Sequence, residues 1–311
     1  MNLYAIEASV THYLKDANEQ DSALLTFYQG LWKLLYERAD ELEKAHEYQT
    51  PTKDAVEEAY WTYQPLFMQY PPMVEVSDFS YTLELVATYI AEHAGLDDLA
   101  KKAIQDINWR SVAENSDLKI AVTYPPQYIE DVLSDPEKMG LSHDVSISVV
   151  GLVVAYALRA HIMNPAQVLM RKAPLSADQQ GQHTRPLNCP VCGGTSTSGF
   201  VGETASSDGM GTELFCSTCG ITWPFERIRC AQCGEQDQNK LHYFNIEGDN
   251  AHRLHTCDTC GSYTRKVFQE DIDEKAGLCM DVEDVVMARL DALAQDPKFY
   301  DKAQPNRPQH G

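Results

Sequence analysis

The chain has 311 residues, of which 25 are basic and 46 acidic, and its formal net charge at pH 7 is −21. Hydrophobic residues make up 43% of the sequence, which is enough for a core, and the length allows two domains of ordinary size. The excess of acidic side chains argues against a general nucleic-acid-binding protein and against binding to an anionic membrane, because both interactions need Lys and Arg.

The N-terminal segment MNLYAIEASVTHYLKDANEQ has neither the basic and apolar segments nor the cleavage site of a signal peptide. The longest uncharged apolar stretch, 145–158, has 14 residues, fewer than the roughly 20 that a membrane-spanning helix needs. We therefore predict a buried helix at this stretch and no membrane insertion. We also predict a cytoplasmic protein, whose cysteines are reduced or metal-bound.

Residues 1–172 contain no cysteine, and their apolar side chains recur at the three-to-four-residue spacing of amphipathic helices. We expect Thr50 and Pro51 to begin the second helix, and Asn164 with Pro165 to end the apolar one. The sequence therefore predicts an all-helical N-terminal domain. Its predicted helices are 22–46, 51–63, 78–95, 96–107, 128–133, 144–163 and 166–172.

The rest of the chain divides by composition. Residues 173–187 are polar, with two prolines and a glycine, and are predicted to be a linker. The cysteine-rich part, 188–270, is followed by a C-terminal segment, 271–296, with a predicted helix at 281–295. The polar tail 297–311 is predicted to be disordered. The net charge of −21 lies mostly before residue 186, where 14 basic and 27 acidic residues give −13.

Eight of the nine cysteines form four CxxC pairs, and each pair is followed at once by a glycine. A shift of 41 residues superimposes the first two pairs and their glycines on the last two, so the region is an internal repeat, 188–228 and 229–270. The pairs are Cys189/Cys192, Cys216/Cys219, Cys230/Cys233 and Cys257/Cys260.

Two CxxC turns supply four sulfurs, the ligand set of a closed tetrahedral site for zinc or iron. The repeat favours one site per half: Cys189, Cys192, Cys216 and Cys219 in the first, and Cys230, Cys233, Cys257 and Cys260 in the second. A crosswise arrangement, in which the two middle pairs share a metal, is the alternative. We predict two metal ions per chain in a small-β, rubredoxin-like or zinc-ribbon region. A closed site has no open coordination position, which argues against hydrolysis at the metal.

The ninth cysteine, Cys279, has no partner in the pattern and is predicted to be a packed thiol. Since eight cysteines complete two sites, the histidines near them are predicted not to be ligands. These are His183, His242, His252 and His255. The aromatic residues of the region are predicted to form a small core around the CxxC turns. These are Trp223, Phe225, Tyr243, Phe244 and Tyr263.

The turns CPVCGG, CSTCG, CAQCG and CDTCG, and the run FCSTCGITWPFERIRCAQCGEQDQNKLHYF, resemble the formate dehydrogenase accessory protein family, FdhE. YERADELEKA and DVEDVVMARLDALA are similar to the family's first long helix and its C-terminal segment. The resemblance implies a cytoplasmic accessory protein with a rubredoxin-like iron site. Such a protein contacts the catalytic subunit of a respiratory molybdenum or tungsten formate dehydrogenase before that enzyme is exported. It also implies that the eight CxxC cysteines are the ligands.

No Walker sequence, dinucleotide-binding glycine motif or catalytic constellation is recognisable, which fits a protein that is not an enzyme. The leading hypothesis is a maturation factor for formate dehydrogenase. A rubredoxin-like iron electron carrier is the first alternative. A zinc-ribbon adaptor for nucleic acid or the transcription machinery is the second, although the metal region carries six basic and ten acidic residues and so disfavours phosphate contact.

Overall fold

The computed structural model describes residues 3–135, 141, 147–174, 184–206, 209–273 and 277–294. The predicted tail 297–311 and His183 lie outside these residues. The described part of the chain contains a helical N-terminal region, a β-sheet region that carries the cysteine pairs, and C-terminal helices. The predicted fold class is therefore confirmed.

Among the described residues before 172 there are nine α-helices and no strand. They are α1 (Leu3–Tyr13), α2 (Glu19–Ala45), α3 (Lys53–Tyr60), α4 (Val76–His93), α5 (Asp98–Gln105), α6 (Trp109–Asn115), α7 (Leu118–Thr123), α8 (Pro125–Ser134) and α9 (Ile147–Met170). The sequence did not predict α1, α6 or α7. The two short helices do begin with a recognisable signal, because the Asn108 and Asp117 side chains accept backbone N–H groups at their first turns.

Two predicted helix boundaries are wrong. The N-cap of α3 is Thr52, whose hydroxyl accepts the Ala55 N–H at 3.3 Å, and not Thr50. Pro165 lies inside α9 and does not end it. Buried residues on both sides of the proline, Met163 and Ala166 among them, pack into the core. This packing compensates for the backbone hydrogen bond that Pro165 cannot donate, so the helix continues.

The helix α9 is long and apolar enough, by length and composition, to cross a membrane, but 56% of its most apolar window is buried inside the protein. It packs against α2, α4 and α8 as the central helix of the N-terminal region. One such helix is weak support for a membrane protein, since the core helix of a soluble protein has the same composition.

The six strands form one sheet with the order β3-β2-β1-β6-β5-β4. Each repeat contributes three antiparallel strands, and the two halves join through a parallel pairing of β1 with β6, in which Gly199 lies beside Lys266. The repeats are therefore joined head to tail in a continuous sheet. The strands are β1 (Ser198–Glu203), β2 (Met210–Phe215), β3 (Thr222–Phe225), β4 (Leu241–Asn245), β5 (His252–Cys257) and β6 (Tyr263–Phe268).

One hydrophobic core extends from the helices into the first repeat, and Cys192, Leu214 and Trp223 belong to the same cluster as residues of α2, α4 and α9. The described ends of the predicted linker are packed as well. Ala173 is buried, and the buried Arg185 donates a hydrogen bond to the Pro174 carbonyl at 3.1 Å. The helical region and the first repeat thus share their apolar interior.

The predicted C-terminal helix is two helices, α10 (Met280–Val286) and α11 (Ala288–Ala294). Three carboxylates of α10 bind different parts of the protein. The buried Asp281 pairs with the buried Arg159 of α9, and Glu283 pairs with His252 of β5 at 3.0 Å. Asp284 pairs with Arg265 of β6 at 2.7 Å. Helix α10 therefore ties the helical region to the sheet.

Replacement of Asp281 by Asn should lower the free energy of unfolding by about 3–5 kcal/mol, because it leaves the Arg159 charge buried without a carboxylate. Urea unfolding measures the loss. Glu114→Gln is the matched control, since it breaks an ion pair with Arg110 that is exposed on α6, and should cost under about 1 kcal/mol. Equal losses in the two variants would contradict a special role for the buried pair.

Stability should also depend on the protonation of His252. Burial opposes its charge, but hydrogen bonds to Asp249 and Glu283 outweigh burial and raise the pKa of His252 to about 9. Tyr13 and Arg289 complete its surroundings. Because this pKa exceeds the ordinary value of 6.5, the stabilisation is fully present below pH 6.5 and is lost as the pH rises through 9.

The measurement is the free energy of unfolding of wild type minus that of His252→Gln between pH 6 and 10, with thiols and metal held constant. The difference should shrink as the pH rises. Subtraction of the variant removes the titration of the cysteines, which both proteins share. A difference that stays constant or grows over this range would show that His252 is not held as a cation.

Candidate metal centres

The four CxxCG segments fold into the same turn. In each, the glycine N–H donates to the carbonyl of the first cysteine, at 2.7–3.0 Å. Each glycine has a φ between 69° and 80°, in the left-handed region where a side chain would be strained. The glycines are Gly193, Gly220, Gly234 and Gly261. The sequence repeat is thus a repeat of one backbone geometry that turns both sulfurs to one side.

The first group consists of Cys189, Cys192, Cys216 and Cys219, whose sulfurs all lie within 4.8 Å of one another. The sulfurs of Cys189 and Cys219 are 3.6 Å apart, and those of Cys192 and Cys216 are 3.5 Å apart. A tetrahedral metal with bonds of 2.3 Å to sulfur sets its ligands about 3.8 Å apart. The four sulfurs therefore fit around one zinc or iron ion.

The second group consists of Cys230, Cys233, Cys257 and Cys260 and has the same size. Two sulfur pairs, Cys230 with Cys260 and Cys233 with Cys257, are each 3.7 Å apart. The backbone N–H of Cys233 points at the Cys230 sulfur, at 3.5 Å, as it does in turns that stabilise thiolates. The structure thus groups the cysteines within each repeat and not crosswise.

The helical region holds both turns of the first site. The Leu66 and Phe67 N–H groups donate to the carbonyls of Pro190 and Val191, at 2.8 and 3.0 Å. Arg159 of α9 donates to the Ser217 carbonyl in the second turn at 3.1 Å. Its four cysteines are all buried. The first site is therefore embedded in the core, at the junction of the helices and the sheet.

Burial has an electrostatic consequence at the first site. It raises the pKa of the Cys192 and Cys219 thiols well above their ordinary value, because thiolates are poorly solvated in the core. Four thiolates can form there only if a cation compensates their charge. The chemistry of the four cysteines thus favours a bound metal ion.

The second site is more open. Cys230 and Cys257 are buried, Cys260 is half-buried and Cys233 is exposed. At its rim, Glu235 accepts hydrogen bonds from Thr259 at 2.6 Å and from Lys240 at 3.2 Å. The two repeats have the same turns, but only the second has an exposed cysteine in its group.

The described histidines lie outside both cysteine groups. His242 contacts Asp258 at 3.0 Å, His252 belongs to the α10 contacts, and His255 stacks on Tyr243 with ring centroids 4.5 Å apart. Cys279 is a buried thiol, as expected, and burial raises its pKa to about 12.

The aromatic residues divide between the repeats. Trp223 and Phe225 are buried, whereas Tyr243 is 42% exposed, so the prediction that it belongs to a core is wrong. Phe244 and Tyr263 are half-buried and pack against the cluster beneath α10 and α11. The second repeat buries these aromatic side chains less fully than the first repeat does, because the N-terminal helices pack against the first repeat.

The sequence motifs did not predict two buried cations, Arg159 and Lys266. Arg159 follows directly after the apolar stretch 145–158, and a charge at that position of a buried helix needs a buried partner. That signal predicts a buried ion pair but does not predict that its carboxylate comes from Asp281. Lys266 lies in β6, whose sequence YTRKVF carries two basic residues, and nothing in that pattern predicts that this lysine is fully buried.

Together these features define a protein with a helical domain and a tandem four-cysteine ribbon. No model of a known protein family matches the chain. It is 33% identical over 112 residues to the "Protein FdhE homolog" of Aquifex aeolicus and 28% identical over 137 residues to "Protein FdhE" of Escherichia coli. These alignments cover 36% and 43% of this chain, and the chain spans about two fifths of the relatives' length, 38% and 41%.

The crystal structure of the FdhE protein from Pseudomonas aeruginosa matches 97% of this chain and 92% of its own, with a TM-score of 0.51 and 14% sequence identity. At this identity the match shows a shared fold. The chain is similar to FdhE proteins, in sequence over part of its length and in fold over nearly all of it, and the resemblance seen in its CxxC turns is confirmed.

Replacement of Cys257 by Ser should reduce the bound metal from two equivalents to one and unfold the second repeat, because metal binding is coupled to folding. Metal analysis and thermal unfolding check both effects. Cys279→Ser is the matched control, since Cys279 is also buried but belongs to neither group. Two equivalents in Cys257→Ser would contradict the assignment of Cys257 as a metal ligand.

Proposed function

We propose that this protein is an accessory factor for the maturation of a respiratory formate dehydrogenase and not an enzyme itself. It would bind the enzyme's catalytic subunit in the cytoplasm before export. The observation that carries the proposal is the combination of two four-cysteine groups with similarity to FdhE proteins in sequence and fold. Closed sites suit such a role, because they hold structure or pass an electron and do not activate water.

Each site would hold one ion, iron in the rubredoxin manner or zinc. Four thiolates with a divalent ion carry a charge of −2, and with a ferric ion −1. The ligands at the first site would be Cys189, Cys192, Cys216 and Cys219, and at the second Cys230, Cys233, Cys257 and Cys260. The metal would supply cross-linking of the turns or a single electron. The chain supplies the position and the electrostatic surroundings.

A second candidate, a rubredoxin-like electron carrier, is favoured by the exposure of Cys233, which gives the second site a short path to a redox partner. This candidate requires iron that cycles between two oxidation states. The visible absorption of aerobically purified protein distinguishes the electron carrier from the accessory factor. A colourless protein with two equivalents of zinc is incompatible with the electron carrier and compatible with the accessory factor.

In a pull-down from cell extract, the tagged protein should enrich the catalytic subunit of formate dehydrogenase, quantified by mass spectrometry. The comparison is Cys257→Ser, which disrupts one metal site, and Cys279→Ser, which should behave as wild type. Enrichment that is lost in the first variant and kept in the second supports a role of the metal region in binding. No enrichment by wild type over an unrelated acidic protein would refute the proposal.

A further inference from the structure

The strand β4 forms an open edge of the sheet. It pairs with β5 on one side, and the described part of the chain has no strand on its other side. Its sequence, LHYFN, has no Asp, Glu, Lys, Arg or Pro, although charged residues and proline are the usual protection of such an edge. The opposite edge is protected, because β3 contains Pro224 and the Trp223 indole binds the linker. Of the two edges, β4 is therefore the one that can accept a further strand.

The hydrogen-bond pattern shows which backbone groups of β4 point outward. In β5, the Cys257 N–H donates to the Ser262 carbonyl, on the side of β6, at 3.0 Å. The next N–H, that of Asp258, donates to the Lys240 carbonyl, on the side of β4, at 2.9 Å. Because the direction alternates along a strand and Leu241 lies opposite Cys257, the backbone groups of the odd-numbered β4 residues face away from β5. These residues are Leu241, Tyr243 and Asn245.

The outward backbone groups form a set that is complementary to itself. The Leu241 N–H is already used, because it donates to the Gln238 carbonyl. The remaining groups are the Leu241 carbonyl as an acceptor, the Asn245 N–H as a donor, and both groups of Tyr243 between them. When two such edges meet antiparallel about a two-fold axis at Tyr243, each Asn245 N–H faces the Leu241 carbonyl of the other copy. The two Tyr243 residues then exchange both of their hydrogen bonds, so a second copy of this chain supplies a partner for each group.

The exposed side chain of Tyr243 supports the same arrangement. It is 42% exposed, although its ring stacks on His255 with centroids 4.5 Å apart. In a two-fold pairing the two Tyr243 residues are directly opposite each other on one face of the sheet, with their Cα atoms about 5.5 Å apart. The aromatic contacts of each copy then continue across the joint, and both rings lose exposed apolar surface.

We propose that the chain forms a two-fold symmetric dimer in which the β4 strands of two copies pair antiparallel. The pairing joins two six-stranded sheets into one, with the helical regions toward its outer ends. The joint is short and each copy has a net charge of −21, so the dimer is weak, with a dissociation constant of roughly 10–100 μM. Because the two copies repel each other at long range, added salt strengthens the dimer. Dimer formation is independent of the proposed accessory role.

The test is sedimentation velocity of the full chain at concentrations up to about 300 μM, above the expected dissociation constant. Wild type should pass from monomer to dimer, and the dimer fraction should rise with added NaCl. Tyr243→Pro removes the central outward N–H but no bond between β4 and β5, and should weaken the dimer about tenfold or more. Tyr243→Phe is the matched control, because it keeps the N–H and the ring, and should change the dissociation constant less than about threefold. Metal content and thermal unfolding check that both variants are folded.

Amide hydrogen exchange of wild type, measured by NMR, decides the question if Tyr243→Pro does not fold. The Tyr243 and Asn245 N–H groups should become protected as the protein concentration rises, whereas the Leu241 N–H, which is bonded within the chain, should not change. A monomer at the highest concentration, a dimer that Tyr243→Pro leaves intact, or exchange at Tyr243 and Asn245 that is independent of concentration would each overturn the proposal. A dimer that salt dissociates would also overturn it, since opposite charges elsewhere on the surface would then hold the copies together.

Discussion

The buried ion pair between Arg159 and Asp281 is the constraint on which the rest of the structure depends. The two residues are 122 positions apart, and each would be a costly isolated charge without the other. Arg159 also donates to the carbonyl of Ser217, inside a turn of the first metal site. The central helix, the first site and the C-terminal helix α10 are therefore fixed relative to one another by one guanidinium group.

The head-to-tail sheet explains how two equal repeats come to lie in unequal surroundings. At one edge, β3 contains Pro224, which has no N–H to offer, and the Trp223 indole donates to the Pro186 carbonyl, so the linker covers this edge. At the other edge, β4 pairs only with β5 among the described strands. The helices cover the first repeat, and the second repeat lies at the open end of the sheet.

The sequence was most informative where one local pattern determined one local geometry. The CxxCG turns were predictable, because only glycine accepts a φ near 75° without strain, and so were the long amphipathic helices. The continuation of α9 through Pro165 was not predictable, since packing of Ala166 and its neighbours outweighed the lost hydrogen bond. The joining of the repeats into one sheet was not predictable either, because the parallel pairing of β1 with β6 depends on contacts between distant segments.

The two sites therefore have one ligand geometry and two electrostatic environments. The first site is in the core, and the charge of Arg159, which contacts its second turn, is neutralised by Asp281. The second group includes Cys233, which is exposed to solvent. Solvent stabilises a doubly negative cluster more than a singly negative one. A duplication of identical turns therefore need not duplicate their chemistry.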